Sequence, residues 1–139
     1  MENSRQHLSV LRALDANCNR VREGLRVVED VARFILNDPK LFTRLKKLRH
    51  AVTKTEKELF MSPHLRALSR DVVRDMGRGD DEKNERLRGD HMDLLKANFK
   101  RAQEGLRSLE EFSKLLGHPA ALRFKKLRYE CYRVEEGLD

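Results

Sequence analysis

ANCNRVREGLRVVE at residues 16–29 and ANFKRAQEGLRSLE at residues 97–110 are one motif written twice. The copies share Ala16/Ala97, Asn17/Asn98, Arg20/Arg101, Glu23/Glu104, Gly24/Gly105, Leu25/Leu106, Arg26/Arg107 and Glu29/Glu110. Lys-Lys-Leu-Arg recurs as well, at 46–49 and 125–128. A repeat of this length is a supersecondary unit, so it governs the reading of everything around it. Repeated apolar residues alone would report packing. Here most of the repeated residues are polar, which points to a shared polar surface.

Around the first copy, Leu14, Cys18, Val21, Leu25, Val28, Ala32 and Ile35 recur at 4-3-4-3-4-3 spacing. That is the stripe of a helix packed in a bundle. Leu95, Phe99, Ala102, Leu106, Leu109, Ser113 and Leu116 match it in the second copy. The spacing predicts helices over about 8–36 and 90–116. Each ends at a proline-bearing turn, Asn37-Asp38-Pro39 and Gly117-His118-Pro119, which caps a further helix, over about 39–60 in one case and to about 137 in the other. The second helix has the stripe Leu41, Leu45, Leu48, Val52, Leu59. The fourth has Leu122, Phe124, Leu127, Cys131 and Val134. Ser62-Pro63 opens a short helix to about Leu68, and the charged, glycine-bearing stretch 69–90 reads as a functional loop. With no alternating strand pattern in competition, the expectation is an all-α four-helix bundle. It is made of two sequence-similar hairpins about a pseudo-twofold axis. The 139 residues form a single domain, with hairpin one about 8–60, the intervening segment 61–89 and hairpin two about 90–137.

Composition narrows the partners. Charged residues are 38%, aromatics 6%, and the net charge is +7. A basic chain favours phosphate-bearing partners, whether small ligands or nucleic acid. Acidic residues interleave with the basic ones and no aromatic platform is visible, so nucleic acid is the weaker choice. No apolar run approaches a membrane span, and the N-terminus lacks the apolar run of a signal peptide. Cys18 and Cys131 lie in apolar helical patterns without metal-ligand spacing and read as buried thiols of a cytoplasmic protein.

On a helical wheel Asn17, Arg20 and Gly24 fall on one flank of the stripe, Glu29 on the other, and Glu23, Arg26 and Asp30 towards the far side. A glycine inside a helix costs about 1 kcal/mol relative to alanine. Two of them at matched positions imply close approach by another helix or by a ligand, and the two are compatible. Next to each stands an amide and a guanidinium, the parts of an anion-binding notch. Arg26–Asp30, Glu29–Arg33, Arg107–Glu111 and Glu110–Lys114 also fit ordinary i,i+4 pairs. Arg49 and Arg128 either reach a phosphate or form a solvated basic face. Arg70, Asp71, Arg74, Asp75 and Gly77 suit Mg²⁺-phosphate chemistry or a plain charged linker.

DANCNRVREGLRVVEDVARF (15–34), KKLRH (46–50), SRDVVRDMG (69–77) and the second copy through 115 together resemble the hydroxymethylpyrimidine-phosphate kinase family of bacterial thiamine biosynthesis, whose small helical domain also occurs fused to thiamine-phosphate synthase. The resemblance covers roughly residues 8–135. It implies the stand-alone kinase, transferring a phosphoryl group from ATP with Mg²⁺ to 4-amino-5-hydroxymethyl-2-methylpyrimidine monophosphate. Such catalysis is mainly positioning and charge neutralisation. On this expectation a pyrimidine slot lies beside Gly24 and Gly105, lined by Asn17 and Asn98. Arg20, Arg26, Arg70 and Arg107 hold substrate, and Arg101, Asp75 and Asp71 are catalytic. Glu23 and Glu104 take the metal. A specialised arrangement is favoured over two equal notches, because the loop at 69–90 occurs once. The rivals are a non-catalytic accessory domain of thiamine-phosphate synthase, which would then be a partner, and a basic helical nucleic-acid-binding module. A homodimer is compatible with all of these.

Overall fold

The computed structural model describes residues 2–60, 70, 74–77 and 89–138. Four α-helices account for nearly all of them: α1 Glu2–Asp30, continued by one π-helical turn Val31–Ile35; α2 Pro39–Leu59; α3 His91–Leu115; α4 Ala120–Glu136. The expected all-helical bundle is the observed fold, with no strand among the described residues. The short helix expected after Ser62-Pro63 and most of the stretch 69–90, Asp71 included, lie outside the described residues.

The neighbours run α1, α2, α4, α3 and back to α1, with α1–α3 the most extensive contact. Gly24 of α1 meets Asn98 and Ala102 of α3, while Gly105 of α3 meets Asn17 and Val21 of α1, so these two helices are antiparallel. Ion pairs from Arg44 to Glu130 and from Arg123 to Glu58 set α2 and α4 antiparallel as well. The two stripes meet in the middle: Leu14, Cys18, Val21, Leu25, Val28, Ala32 and, opposite them, Leu95, Phe99, Ala102, Leu106, Leu109 are all buried. Each large aliphatic or aromatic side chain taken out of water here stabilises the bundle by about 1.5–3 kcal/mol. Cys18 and Cys131 are buried thiols, and burial pushes Cys131 up to about 12. No helix among the described residues is long and apolar enough to cross a membrane.

Two expected core positions are displaced. Ile35 is 51% exposed and Leu122 58% exposed. Leu122 stands near the helix start and points off the α4 stripe of Phe124, Cys131 and Val134. Ile35 has a more specific cause. From Glu29 to Asn37 there are eight steps, but from Glu110 to Gly117 only seven, so the first copy carries one extra residue. The extra residue is absorbed by the π turn, as single-residue insertions in helices are. The closing hydrogen bond shows it directly. His118 N–H donates to Ser113 O at 3.1 Å, and the equivalent bond, Asp38 N–H to Ala32 O at 2.9 Å, spans one residue more. An added residue rotates the rest of the helix by about 100°, which carries Ile35 out of the stripe.

Both long helices then end on a left-handed residue, Asn37 (φ 50) and Gly117 (φ 61). After Asn37, Asp38 caps α2 by accepting from Leu41 N–H at 3.0 Å, with Pro39 in the first turn. A β-carbon at Gly117 would meet nothing within 4 Å. Gly117→Ala is therefore expected to lose about 1–2 kcal/mol through backbone strain alone. Gly117→Asn, which copies the first turn, should recover most of that. Urea midpoints measure both; an alanine variant as stable as the parent would show that the turn carries no strain.

Candidate functional site

The shared polar residues assemble at the crossing of α1 and α3. Asn17 is buried, and its amide donates to Ala13 O at 2.8 Å and its oxygen accepts from Arg20 at 3.0 Å. Asn98 repeats the first bond, donating to Leu94 O at 2.9 Å. Each asparagine backbone carbonyl then faces the glycine of the other helix. A β-carbon on Gly24 would lie 3.0 Å from Asn98 O, and one on Gly105 2.6 Å from Val21 Cγ2 and 3.5 Å from Asn17 O. The expected pyrimidine slot is thus filled by the partner helix. Of the two compatible reasons for a buried glycine, the structure shows the helix crossing.

The shared cations point elsewhere. Arg20, Arg26, Arg101 and Arg107 are exposed. Arg101 lies 3.8 Å from Glu23, and Arg107 3.4 Å from Glu111. Glu23 and Glu104 are exposed too, and no group of three or more metal-ligating His, Cys, Asp or Glu side chains gathers among the described residues. Arg49 and Arg128 neither reach outward nor form a solvated face. Arg49 clasps buried Glu29 (Nε–Oε2 2.6 Å, Nη2–Oε1 3.2 Å), and Arg128 reaches buried Glu110 at 3.0 Å. Repeated Glu and repeated Lys-Lys-Leu-Arg are therefore the two ends of one interhelical clamp, made once in each hairpin. Glu29 consequently serves Arg49 rather than the expected Arg33, whereas the Arg107–Glu111 and Glu110–Lys114 pairs form as expected.

The polar concavity lies on the N-terminal half of α1, just past the end of α2. It is a groove of about 490 Å³ lined by Ser9, Arg12, Ala13, Asp15, Ala16, Asn19, Arg70 and Asp75. Buried Asp15 accepts two hydrogen bonds from Arg70, Nε to Oδ2 at 2.6 Å and Nη2 to Oδ1 at 3.0 Å. The carboxylate bond raises the Arg70 guanidinium above its ordinary range and fixes the fork in place, although half the side chain stays exposed. One turn on, Arg22 bonds both Asn19 and buried Glu56, carrying the polar row to the end of α2. Asp75 holds a tight turn, accepting from Gly77 N–H at 3.0 Å. Two expected site residues, Arg70 and Asp75, thus meet here, while Arg101 stands beside Glu23, further along α1.

Arg12, Asp15, Asn19, Arg22 and Glu56 were missed in the sequence. For the four on α1 the signal is a difference between the copies, whereas Glu56 is matched by Glu135. The matched positions in α3 hold Asp93, Lys96, Lys100 and Gln103. Gln103 donates to Glu135 at 3.0 Å, where Arg22 meets Glu56 in the first hairpin. The matched groove, past the end of α4, measures about 270 Å³ and is lined by Met92, Leu95, Phe99 and Leu138 together with Lys96, Glu135 and Glu136. The two halves share a scaffold, and one of them carries the polar groove.

The ThiD2 family matches residues 12–137 of the chain. A thiamine-phosphate synthase of Nostoc punctiforme is 41% identical over 129 residues, 93% of this chain and 35% of that protein. The Synechocystis thiamine-phosphate synthase is 42% identical over 130 residues, covering 94% and 36%. That of Rhodopirellula baltica is 41% identical over 133 residues, covering 94% and 34%. The chain thus spans about a third of the length of the curated relatives it matches. No solved structure matches. These findings correct the expectation of a stand-alone phosphomethylpyrimidine kinase. The relatives are thiamine-phosphate synthases that carry this region as part of a longer chain, and they favour the accessory-domain alternative over phosphoryl transfer.

Proposed function

This chain belongs to the ThiD2 family, and we propose that it serves thiamine-phosphate synthase as a helical accessory domain, with the polar groove of α1 as its ligand site. Coverage carries the reading: more than nine-tenths of the chain aligns with about a third of each synthase. The groove supports a ligand role because its guanidinium is already oriented. Asp15, buried, holds the Arg70 fork from behind and leaves the outer half of that side chain exposed. Asn19 adds an amide to the lining, and Arg12 a second cation. A phosphorylated pyrimidine, the small-molecule partner that the sequence resemblance implies, is the ligand we assign: its anion to Arg70 and its ring to the α1 wall. Asp15 acts in this assignment as a positioning residue.

Synthase turnover checks the reading. Adding the chain to a thiamine-phosphate synthase should raise kcat/KM for the pyrimidine substrate. Arg70→Ala should remove that rise by about tenfold or more, the worth of one hydrogen bond to a charged group at about 1.5–3 kcal/mol. Asp15→Asn should do the same through a higher KM. Arg70→Ala should also lower the urea midpoint, because it takes the guanidinium away from buried Asp15, so turnover is compared under conditions where circular dichroism shows the variant folded. Turnover indifferent to the unmodified chain contradicts the proposal.

A further inference from the structure

The arginines and lysines of α2 and α4 divide by task. These helices carry seven and five Lys/Arg against two and three Glu, so together they hold the whole +7 of the chain, and the remainder balances. Every arginine in them is bound to a carboxylate. Arg44 and Arg133 share Glu130 at 3.0 and 2.8 Å, Arg123 takes Glu58, and Arg49 and Arg128 form the interhelical clamps. Every lysine in them is exposed, and none makes an ion pair or side-chain hydrogen bond among the described residues. The free positive charge of these two helices is therefore ammonium alone.

Apolar surface lies within the same face. Leu122 is 58% and Tyr129 46% exposed. They line a depression of about 520 Å³ with Lys125, Lys126 and Arg133. Tyr129 is braced edge-on against Tyr132, with ring centroids 5.7 Å apart and planes at 89°. Along the α2–α4 seam a second depression of about 380 Å³ joins Lys54 and Lys126.

We propose that the outer face of α2 and α4 is a docking surface for an acidic protein surface, namely that of the thiamine-phosphate synthase; this rests on the proposed accessory-domain role. An apolar centre with a tyrosine anchor, rimmed by solvated charge, is the anatomy of a protein interface. Lysines at the rim speed encounter and select an acidic partner. A phosphate backbone is the poorer occupant. Bidentate phosphate recognition calls on arginine, and here each arginine is held by a glutamate, with Glu58 and Glu130 standing in the seam itself. A second copy is excluded by charge, since it would bring two positive faces together.

The test uses the whole chain and a thiamine-phosphate synthase that turns over without a helical segment of its own, with affinity read at low and at physiological salt. Lys47 lines a further depression of α2 beside Arg44, the arginine that ties α2 to Glu130 of α4, and the paired reversal Lys47→Glu/Lys126→Glu should weaken binding about tenfold or more at low salt. Lys96→Glu/Lys100→Glu, exposed on α3, should leave it nearly unchanged. Circular dichroism confirms that both fold. Binding by the parent that the Lys47/Lys126 reversal leaves intact overturns the docking face and spares the accessory-domain reading. An active synthase that the parent never binds overturns that reading, and this inference with it. Salt-sensitive binding of a short mixed-sequence RNA, lost on reversal while synthase binding persists, overturns it in favour of nucleic acid.

Discussion

Glu110→Ala is expected to lose about 3–5 kcal/mol of folding free energy, a large share of the roughly 5–15 kcal/mol that holds a native domain together. The Arg128 side chain is 8% exposed and that of Glu110 5%, so removing the carboxylate strands a guanidinium where water cannot reach it. What remains in direct contact with Arg128 is the Tyr132 hydroxyl at 3.2 Å and the rings of Tyr129 and Tyr132 at 5.1 and 5.7 Å, with the half-exposed Glu111 carboxylate further off. Its Nε already has no hydrogen-bond partner among the described residues. A phenol and two ring faces are too little to balance a buried unit charge. The double replacement Glu110→Leu/Arg128→Met should recover most of the loss, because it removes both charges and keeps the volume. Guanidinium titrations of the two single variants and the double variant form the cycle. A Glu110→Ala variant within about 1 kcal/mol of the parent, or strictly additive singles, would show that the clamp carries little weight.

Gly24→Val is expected to cost about 3 kcal/mol, the upper end of overpacking penalties. Alanine would gain about 1 kcal/mol of helix propensity, but its β-carbon would sit 3.0 Å from Asn98 O and 3.5 Å from Ala102 N. Both are backbone atoms of α3, so relief requires moving a helix. Valine adds two methyl groups to the same contact. At Gly105 the nearest obstacle is closer, Val21 Cγ2 at 2.6 Å on a fully buried β-branched side chain that has one favoured rotamer in a helix, so Gly105→Ala should cost at least as much as Gly24→Ala. Equal stability of Gly24→Val and parent, by urea midpoint, would mean that the helices do not cross where the structure puts them.

The fold was legible because its cause is periodic. The stripes of α1 and α3 and the Asp38-Pro39 start of α2 act within a turn or two of sequence. The π turn was readable in principle, as the change in spacing between Glu29–Asn37 and Glu110–Gly117, but its consequence for Ile35 needed the rotated helix. The site was not legible from the repeat. Repetition marked Asn17, Gly24, Arg49 and their mates, and these hold the scaffold: each glycine needs the opposite backbone, each glutamate an arginine from the neighbouring helix. Those partners stand far apart in sequence, so a buried clamp and a phosphate-binding arginine look alike on a helical wheel. Arg12, Asp15 and Asn19 each sit one residue past an apolar stripe position and differ from their mates, and difference between copies is where a duplicated fold can specialise. Arg70 was marked by its loop; its bond to Asp15, which gives it an orientation, spans the end of α2.

The measurement that decides most directly between scaffold and site is an amide chemical-shift titration of the chain with the phosphorylated pyrimidine. Perturbations are expected to concentrate on Arg12, Asp15, Ala16, Asn19, Arg70 and Asp75, with little change at Gly24 and Gly105. Shifts centred on Gly24 and Gly105, with residues 12–19 unmoved, would contradict a ligand site in the polar groove.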